Sequence, residues 1–600
     1  MTQPADPTFE GGSADKELSG ASYAHKAEEI IPFFSSGVVF LFIPLLFLAV
    51  YILPLNVRPL LEPDEPRYAE ISREMVSSHD WIVPRLNGMR YFEKPVMGYW
   101  LNAISLKAFG ETNFTVRLPS ALSVGLTTLF LFFLARKELG VKVALLASTI
   151  YLTFTEVYVV GTITVLDSFL CLFITAALVF WYYHTTASGR DRSRYLLFFG
   201  VACGCAFLVK GFVAFVLPGL ILGAFYLGKG RWRTLSVRMI ALPIIAILVV
   251  VLPWSLAIHQ LEPGFWHKFF WIEHVERFSG AGTDQHPEAF WFFIPGLLGG
   301  ALPWSVLLPA SFYGLKQIYN DTPLYSYLLL WILLPLLFFS ASTGKLFSYI
   351  LPCFPPLAIL LAAGLLRYLQ KSGTKLMDKG SLLLAVIFAG IALVLFSMFF
   401  NDTLNVYPGE TGKLLLAVTA VAAYSLLLIQ SARVKKKSVK LGIFAIASLP
   451  LLLANPFLFP QDFLAEKAPE ALFERNRDRI GADTLLVSYE DPLRAVCWYF
   501  KRDDVYVFAN LTEFRYGLSY EDARYRSLAN FVETDASPFQ FMDFVAEHGE
   551  GNNIVLILPT RLYQLFQEKK LLPNPVFVDR GNRHYVLAEY GKRKTAGSKE

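Results

Sequence analysis

Along the chain, long uninterrupted apolar runs are separated by short polar loops. The first run extends from about Val38 to Leu55, long enough at about 1.5 Å per residue to cross a bilayer as a helix. Further runs lie near 115–135, 143–160, 168–186, 195–209, 211–227, 239–258, 291–315, 324–341, 350–368, 381–400, 413–430 and 441–459. The pattern predicts about thirteen transmembrane helices, the hairpin at 195–227 being short. Lys and Arg in the short loops orient the bundle. They occur at Arg136, Lys137 and Lys142; at Arg190, Arg192 and Arg194; and at Lys229, Arg231, Arg233 and Arg238. They recur at Lys316, at Lys371, Lys375 and Lys379, and at Arg433, Lys435, Lys436, Lys437 and Lys440. All fall on one side, which makes the N-terminus cytoplasmic and the C-terminus external. Residues 1–36 are polar and rich in Gly and Ser, without the n-region and cleavage site of a secretory signal, and read as a mobile cytoplasmic tail.

The outer side receives the loop 56–98, the turn near Asp167, the hairpin tip at Lys210, the loop 259–290, the loop 342–349 and all that follows about residue 460. Residues 37–460 are thus predicted as a membrane domain and 461–600 as a soluble α/β domain. Strand patterns in the latter fall at Thr484–Tyr489, Val505–Phe508, Ile554–Leu558, Val576–Val578 and Tyr585–Leu587, with helical patterns between them. It contains no nucleotide-binding fingerprint.

Composition agrees with a polytopic α-helical membrane protein. Of 600 residues, 54% are hydrophobic and only 17% charged, where a soluble domain carries roughly a quarter. Disorder, a coiled coil and a nucleic-acid binder are excluded. The balance of 54 basic against 49 acidic residues, net +5, is too even for a polyphosphate-binding protein. Cys171, Cys203, Cys205 and Cys353 sit in apolar runs, which leaves Cys497 alone in the C-terminal domain and no internal disulfide there.

The outer loops hold charges that a passive anchor does not need. In Glu62-Pro63-Asp64-Glu65-Pro66-Arg67-Tyr68, Pro66 suits a first helical turn, with Asp64 or Glu65 as N-cap of a helix running to about Ser78. The alternative is a working carboxylate at the bilayer boundary. At the other end of the same loop, Arg90-Tyr91-Phe92-Glu93-Lys94-Pro95 presents Lys94 as a point charge suited to phosphate, or as an interfacial anchor. Asp167 either caps the helix that begins Ser168-Phe169-Leu170 or shares a cleft with Asp64. Lys210 is an ammonium in the turn of an apolar hairpin, a position that defaults to a functional hypothesis with a partner such as a lipid phosphate. The loop Gly264–Phe278, dense in Phe and Trp, reads as an interfacial helix with His274 and Arg277 one turn apart. In Thr343-Gly344-Lys345-Leu346-Phe347-Ser348-Tyr349, Lys345 and Tyr349 are spaced to share one helical face. Each has a bland reading alone. Together, cations and carboxylates from six separated segments converge on one side.

The stretch from Glu62 to Met75, with Asp80-Trp81-Ile82-Val83-Pro84 and Arg90-Tyr91-Phe92-Glu93-Lys94-Pro95, resembles the ArnT family. These are lipid A 4-amino-4-deoxy-L-arabinose transferases of Gram-negative inner membranes, grouped with protein mannosyltransferases in the GT-C class. The resemblance implies a GT-C fold, an undecaprenyl-phosphate-linked sugar donor and a lipid A acceptor. It makes Asp64 the principal catalytic carboxylate and Asp167 its companion. Lys94 would bind the polyprenyl phosphate, helped by Arg277 and Tyr349, and Tyr68 would face the sugar. Glu93 and His274 match positions where a divalent cation can sit, with no requirement for one in catalysis. Glu65, Arg67, Lys210 and Lys345 join the substrate-binding set by location alone.

A phosphate leaving group would be eased by Lys94 and Arg277, and the family implies direct displacement with inversion. An ionised lipid A phosphate needs no strong base, whereas a hydroxyl acceptor requires Asp64 to take a proton. Two alternatives stay open at this point. One is a polyprenyl-phosphate glycosyltransferase with another sugar, or with a protein or glycan acceptor. The other is a transporter, which would place charges near mid-membrane and repeat its halves; the charges here cluster at the outer boundary, and no repeat is seen.

Overall fold

The computed structural model describes residues 37–228, 235–276, 288–401, 404–508, 513–528 and 537–591. The expected N-terminal tail and Arg277 lie outside them, as does the side chain of His274. Among the described residues, nine helices are long and apolar enough to cross a membrane, or up to eleven if two sharply bent pairs each count as one span. The bent pairs are Val141–Leu152 with Thr155–Gly161 (63°) and Phe293–Gly300 with Trp304–Leu315 (97°). Two shorter apolar helices, Leu41–Asn56 and Val213–Leu227, stand where the first and the sixth expected spans fall.

Burial sorts the helices into centre and rim. In its most apolar 18-residue stretch Phe347–Lys371 is 94% buried and Leu166–Thr186 83%, whereas the corresponding stretches of Val237–Leu261 and Lys375–Ser397 are 28% and 22% buried and these helices present Leu, Ile and Val outward. An outward apolar surface of that kind suits lipid. Local chemistry fixes the ends of Asn113–Leu139. Thr112 and Thr115 form a reciprocal capping box, and the chain leaves the last turn through Gly140 at φ 90°, which an L side chain rarely adopts. Helices Leu166–Thr186 and Gly189–Lys210 are joined by two residues and pack as a hairpin, so the start of the first meets the end of the second.

The loop 56–98 is folded. After the first apolar segment comes the helix Asp64–Ser78, then a small antiparallel hairpin, β1 (Arg85–Leu86) and β2 (Met89–Arg90). Pro63, not Asp64 or Glu65, occupies the N-cap, and no side chain caps the helix. One carboxylate holds the loop against the bundle. Glu65 accepts from Arg117 Nε (2.6 Å) and Nη2 (2.9 Å), from Arg58 Nη1 (2.6 Å), and from the backbone N–H groups of Leu61 (3.0 Å) and Thr164 (3.2 Å). Arg117 spends its remaining donors on the carbonyls of Leu55, Arg58 and Pro59. Glu65 was expected to bind substrate; with five donors around it and almost no exposure, it is a structural tie.

The C-terminal domain is a five-stranded mixed sheet of order β4-β3-β5-β7-β6. β3 (Leu485–Tyr489), β4 (Tyr506–Phe508) and β5 (Ile554–Pro559) are parallel, while β7 (Tyr585–Tyr590) runs antiparallel to β5 and to β6 (Phe577–Asp579). All five strands lie within a residue or two of the alternating stretches in the sequence, β7 running on to Tyr590. Period-2 alternation divides the sheet between two cores. Val555, Ile557 and Leu587 join the core continuous with the membrane domain, whereas Ile554, Leu556, Leu558 and Val586 face a core of the domain's own. The helix Glu490–Phe500, in the β3–β4 crossover, docks on Asp64–Ser78, where Trp498 meets Leu60, Ala69, Leu106 and Val116. Polar bonds close the seam. Asn87 exchanges two hydrogen bonds with the backbone of Val505 (2.8 and 2.9 Å), and Ala495 N–H donates to Glu62 Oε1 (2.8 Å).

Replacing Glu65 by Gln leaves the interior Arg117 and Arg58 guanidiniums without a counter-charge. We expect about 3–5 kcal/mol of destabilisation, seen as a large drop in the thermal unfolding midpoint in detergent. A midpoint within 2 °C of wild type would show that Glu65 does not tie the loop to the bundle.

Candidate active site

At the end of the bundle that carries the C-terminal domain, charged groups from four elements face one another. Asp64, in the first turn of Asp64–Ser78, has a side chain 49% exposed and accepts from Arg67 Nη1 at 2.8 Å. Tyr68, one turn further on, is buried against Tyr99 with ring centroids 6.1 Å apart. Burial raises the Tyr68 hydroxyl well above its ordinary value, and the negative charges of Asp64, Asp167 and Glu93 push it further against Arg67. That response puts all three carboxylates within electrostatic reach of one phenol. Asp64 and Asp167, 103 positions apart, thus both act on the Tyr68 hydroxyl.

Asp167 lies in the first turn of Leu166–Thr186, where Val165 is the N-cap, so it does not cap the helix. Its carboxylate accepts from Lys210 Nζ at 2.7 Å, the closure that the helical hairpin brings about. Lys210 also lies 5.0 Å from the ring centre of Tyr349, a cation–π contact. Lys94 Nζ donates to the carbonyl of Glu93 (3.0 Å) and stands 3.8 Å from Glu273, which Lys268 approaches to 3.0 Å. Glu273 and Lys268 belong to the segment His267–Glu276, a wide helix as expected for that aromatic loop.

Lys345 departs from expectation. Residues 342–346 are not helical, and Tyr349 belongs to a tight helix over Phe347–Cys353, so the two share no helical face. The Lys345 ammonium is buried and donates to the carbonyls of Ser342 (2.5 Å) and Glu288 (2.7 Å), which pins two loops together. It is a structural donor.

For a cation, the described residues offer little. No group of three or more His, Cys, Asp or Glu side chains stands close enough to hold a metal ion among them, and the His274 side chain lies outside the description. Glu93 is one carboxylate without a described co-ligand, so no step is assigned to a metal. A separate recess of about 660 Å³ lies between the domain and the bundle, lined by residues that include Pro59, Glu410, Asp462, Ala468 and Arg583. It contains none of the expected site residues and is not where the carboxylates gather.

Sequence reasoning missed the contribution of the C-terminal domain. Arg67 was grouped with the substrate contacts, yet its Nε lies 2.6 Å from Oε1 of Glu513 and its Nη2 donates to Oε2 at 3.2 Å. Tyr91 donates to the same carboxylate (2.8 Å), as does Arg494. Arg90 is shared between Glu262 (2.7 Å) and Asp522 (2.7 Å) beneath the ring of Tyr520. Partners more than 400 positions away leave no local signal.

These features match known proteins. Residues 36–269 match the dolichyl-phosphate-mannose-protein mannosyltransferase family, and residues 464–588 match the C-terminal domain of arabinosyl transferase ArnT. The fold is shared with crystal structures of ArnT from Cupriavidus metallidurans. The structure bound to undecaprenyl phosphate superposes with a TM-score of 0.77 at 22% identity, covering 92% of this chain and 97% of that one. The apo structure gives 0.75 at 23%. Fold and site thus define a multi-pass membrane glycosyltransferase of the class that draws its sugar from a lipid carrier. Among relatives, the undecaprenyl phosphate-α-4-amino-4-deoxy-L-arabinose arabinosyl transferase of Aeromonas hydrophila is 41% identical over 82% of this chain and 90% of its own length. Counterparts from Shewanella sediminis (38%, covering 81% and 89%) and Proteus mirabilis (34%, covering 93% and 99%) agree. The chain belongs to this arabinosyl transferase family.

The ion pairs set a pH dependence of stability. Burial alone would raise the Glu65 carboxyl, but the Arg117 and Arg58 guanidiniums hold it down at about 2. Glu513 is likewise brought to about 2 by Arg67 and Arg494 against its burial. Both carboxyls sit below their ordinary value near 4.5, so their stabilisation is complete above that pH and is lost as pH falls towards 2. Glu62 has the opposite sign. Burial pushes it up to about 8 despite Arg494, so its share declines as pH rises from 4.5 to about 8. The unfolding midpoint should fall steeply below about pH 4.5 and drift down gently towards pH 8; a midpoint flat from pH 6 to pH 3 would refute the assignment.

Proposed function

We propose that this protein transfers 4-amino-4-deoxy-L-arabinose from undecaprenyl phosphate to a phosphate of lipid A. The reaction takes place at the periplasmic face of the bacterial inner membrane, with the N-terminus cytoplasmic and the C-terminal domain periplasmic. The carrying observation is that relatives named for this donor and sugar align with 81–93% of the chain. The loop charges along the chain support the orientation, since the Lys and Arg clusters alternate with the charged site through every predicted crossing.

The chemistry of the site fits the donor. Breaking the bond between the sugar and a phosphate carrier develops negative charge on the departing phosphate. Lys94 is a cation suited to receive it, and the family resemblance adds the hydroxyl of Tyr349, whose ring lies beside Lys210. The family resemblance assigns Arg277 the same task. Asp64, half exposed beside Arg67, engages the reacting sugar and its ammonium group and orients it for attack from the opposite side. Asp167, steadied by Lys210, is the second carboxylate for the amino sugar, and Tyr68 forms the wall of that pocket. A lipid A phosphate is ionised at neutral pH and attacks without a strong base, so Asp64 need not accept a proton. Glu65 and Lys345 support the architecture and take no part in binding. We assign Glu93 no metal-dependent step.

Mass spectrometry of lipid A, from cells that make the donor with and without this protein, tests the reading. An aminopentose addition should appear with the wild type and vanish with Asp64→Asn at unchanged protein level. Wild-type modification by Asp64→Asn would remove that carboxylate from catalysis. Unmodified lipid A with donor and protein both present would point to a hydroxyl acceptor. In a purified system, Lys94→Ala should raise the apparent KM for the lipid-linked donor by roughly tenfold or more, the loss of one charge-assisted phosphate contact; an unchanged KM would exclude Lys94 from the phosphate site.

A further inference from the structure

The transfer chemistry above uses only the membrane domain, yet one of the heavily bonded carboxylates near the site belongs to the C-terminal domain. Glu513 lies just before the short helix Arg515–Leu518, with its side chain 9% exposed. Its backbone N–H donates to Glu490 Oε1 (2.8 Å), which fixes where the side chain starts. Oε1 meets Arg67 Nε (2.6 Å) and accepts from the Tyr91 hydroxyl (2.8 Å). Oε2 accepts from Arg67 Nη2 (3.2 Å), from Arg494 Nε (2.8 Å) and from Arg494 Nη2. Docking alone does not call for this concentration, because the apolar contact around Trp498 and the bonds at Asn87 and Glu62 already join the two domains.

What Glu513 does for the site follows from the geometry of a guanidinium. Arg67 is planar, with its donors in a fixed fork. Glu513 lies along the Nε/Nη2 side of that fork, accepting from Nη2 and pairing by charge with Nε without an aligned hydrogen bond there, and Nη1 is left directed at Asp64 Oδ1, 2.8 Å away. Asp64 is half exposed, and among the described residues its hydrogen-bond partner is Arg67, so the direction in which Arg67 is held sets the direction of the carboxylate. We infer that Glu513 is a positioning residue for the transfer reaction, acting through Arg67 on Asp64. The C-terminal domain is then a working part of the active site and not only an appendage docked beside it. This rests on the reading of Asp64 as the catalytic carboxylate.

The consequence is kinetic. Without the Glu513 charge, Arg67 is free to turn its fork onto Asp64 or to swing away, and a misplacement of about 1 Å at a reacting group costs on the order of a hundredfold in rate. Lys94, held by the Glu93 carbonyl and near Glu273, keeps those contacts when the Glu513 charge is removed. A residue needed only for folding would lower the amount of active enzyme and would not discriminate between these effects.

The test uses the full-length protein in detergent or proteoliposomes, with the lipid-linked aminosugar donor and lipid A, and with thermal unfolding recorded for every variant. Glu513→Gln should lower kcat by roughly 10- to 100-fold with the donor KM within about threefold of wild type. Combined with Arg67→Gln it should add less than about threefold to the loss from Arg67→Gln alone, because both act on one connection. Glu513→Asp keeps the charge between Arg67 and Arg494, so it remains folded if Glu513→Gln does not. It draws the carboxylate back by one methylene, and an intermediate kcat is expected. Wild-type kcat in folded Glu513→Gln, or in Glu513→Asp, overturns the proposal, as do losses that multiply in the double variant. If the wild-type protein itself transfers nothing to lipid A, the functional reading fails. If wild type and all variants transfer equally well, only the role of Glu513 fails.

Discussion

Charge inside a membrane protein is tolerated where every charge has a partner, and Glu65 is where this chain meets that constraint most stringently. Its carboxylate joins the helix after the first apolar segment to Arg117 of Asn113–Leu139 and, through Thr164, to the approach to Leu166–Thr186. Arg117 in turn holds the carbonyls of Leu55, Arg58 and Pro59, where the chain leaves the first segment and can no longer satisfy its own backbone. Three parts of the membrane domain thus share one electrostatic knot. The positions of Asp64 and Asp167, each one or a few residues from it, are fixed as a by-product.

Helical geometry converts that knot into a site. Adjacent residues on a helix point about 100° apart, so burying Glu65 turns Asp64 outward. Positions three and four apart lie on the same side, which brings Arg67 and Tyr68 onto the face of Asp64. Two neighbouring carboxylates therefore have opposite fates for one reason: Glu65 lies in the interior among arginines, and Asp64 is half exposed beside one. The hairpin of Leu166–Thr186 and Gly189–Lys210 then delivers the second carboxylate with its cation already attached.

This division explains what could be read from the sequence. The spans and the five strands of the C-terminal domain were legible because each is a local pattern, a run or an alternation, that survives without knowledge of the fold. The convergence of Asp64, Asp167, Lys94 and Lys210 on one end of the bundle was legible too, since topology alone places loops. Roles were less so. Glu65 and Lys345 looked like ligand contacts because sequence position gives exposure only on average. Glu65 turned out to face Arg117, 52 positions away, and Lys345 to face a carbonyl in a loop 57 positions earlier. The tie between Arg67 and Glu513 spans 446 positions and depends on how a separate domain docks, which no periodicity records.

The remaining cations of the site are held in pairs of unequal closeness, and that inequality bears on how an anionic donor enters. Lys210 stands 2.7 Å from Asp167, whereas Lys94 stands 3.8 Å from a Glu273 that Lys268 approaches more closely. An ammonium left without a counter-charge at a bilayer boundary is costly, so a resting site keeps its cations neutralised. Under the proposed function, a phosphate that binds Lys94 exchanges one anion for another, and the weaker the resting pair, the smaller the cost of the exchange. Lys268 remains to neutralise Glu273 when Lys94 turns to the phosphate. The closer Asp167–Lys210 pair resists the same exchange more strongly, which holds the Asp167 carboxylate in position. Under the proposed function, the closer Asp167–Lys210 pair is the one suited to holding a carboxylate still, and the more distant Lys94–Glu273 pair the one suited to exchange for a phosphate.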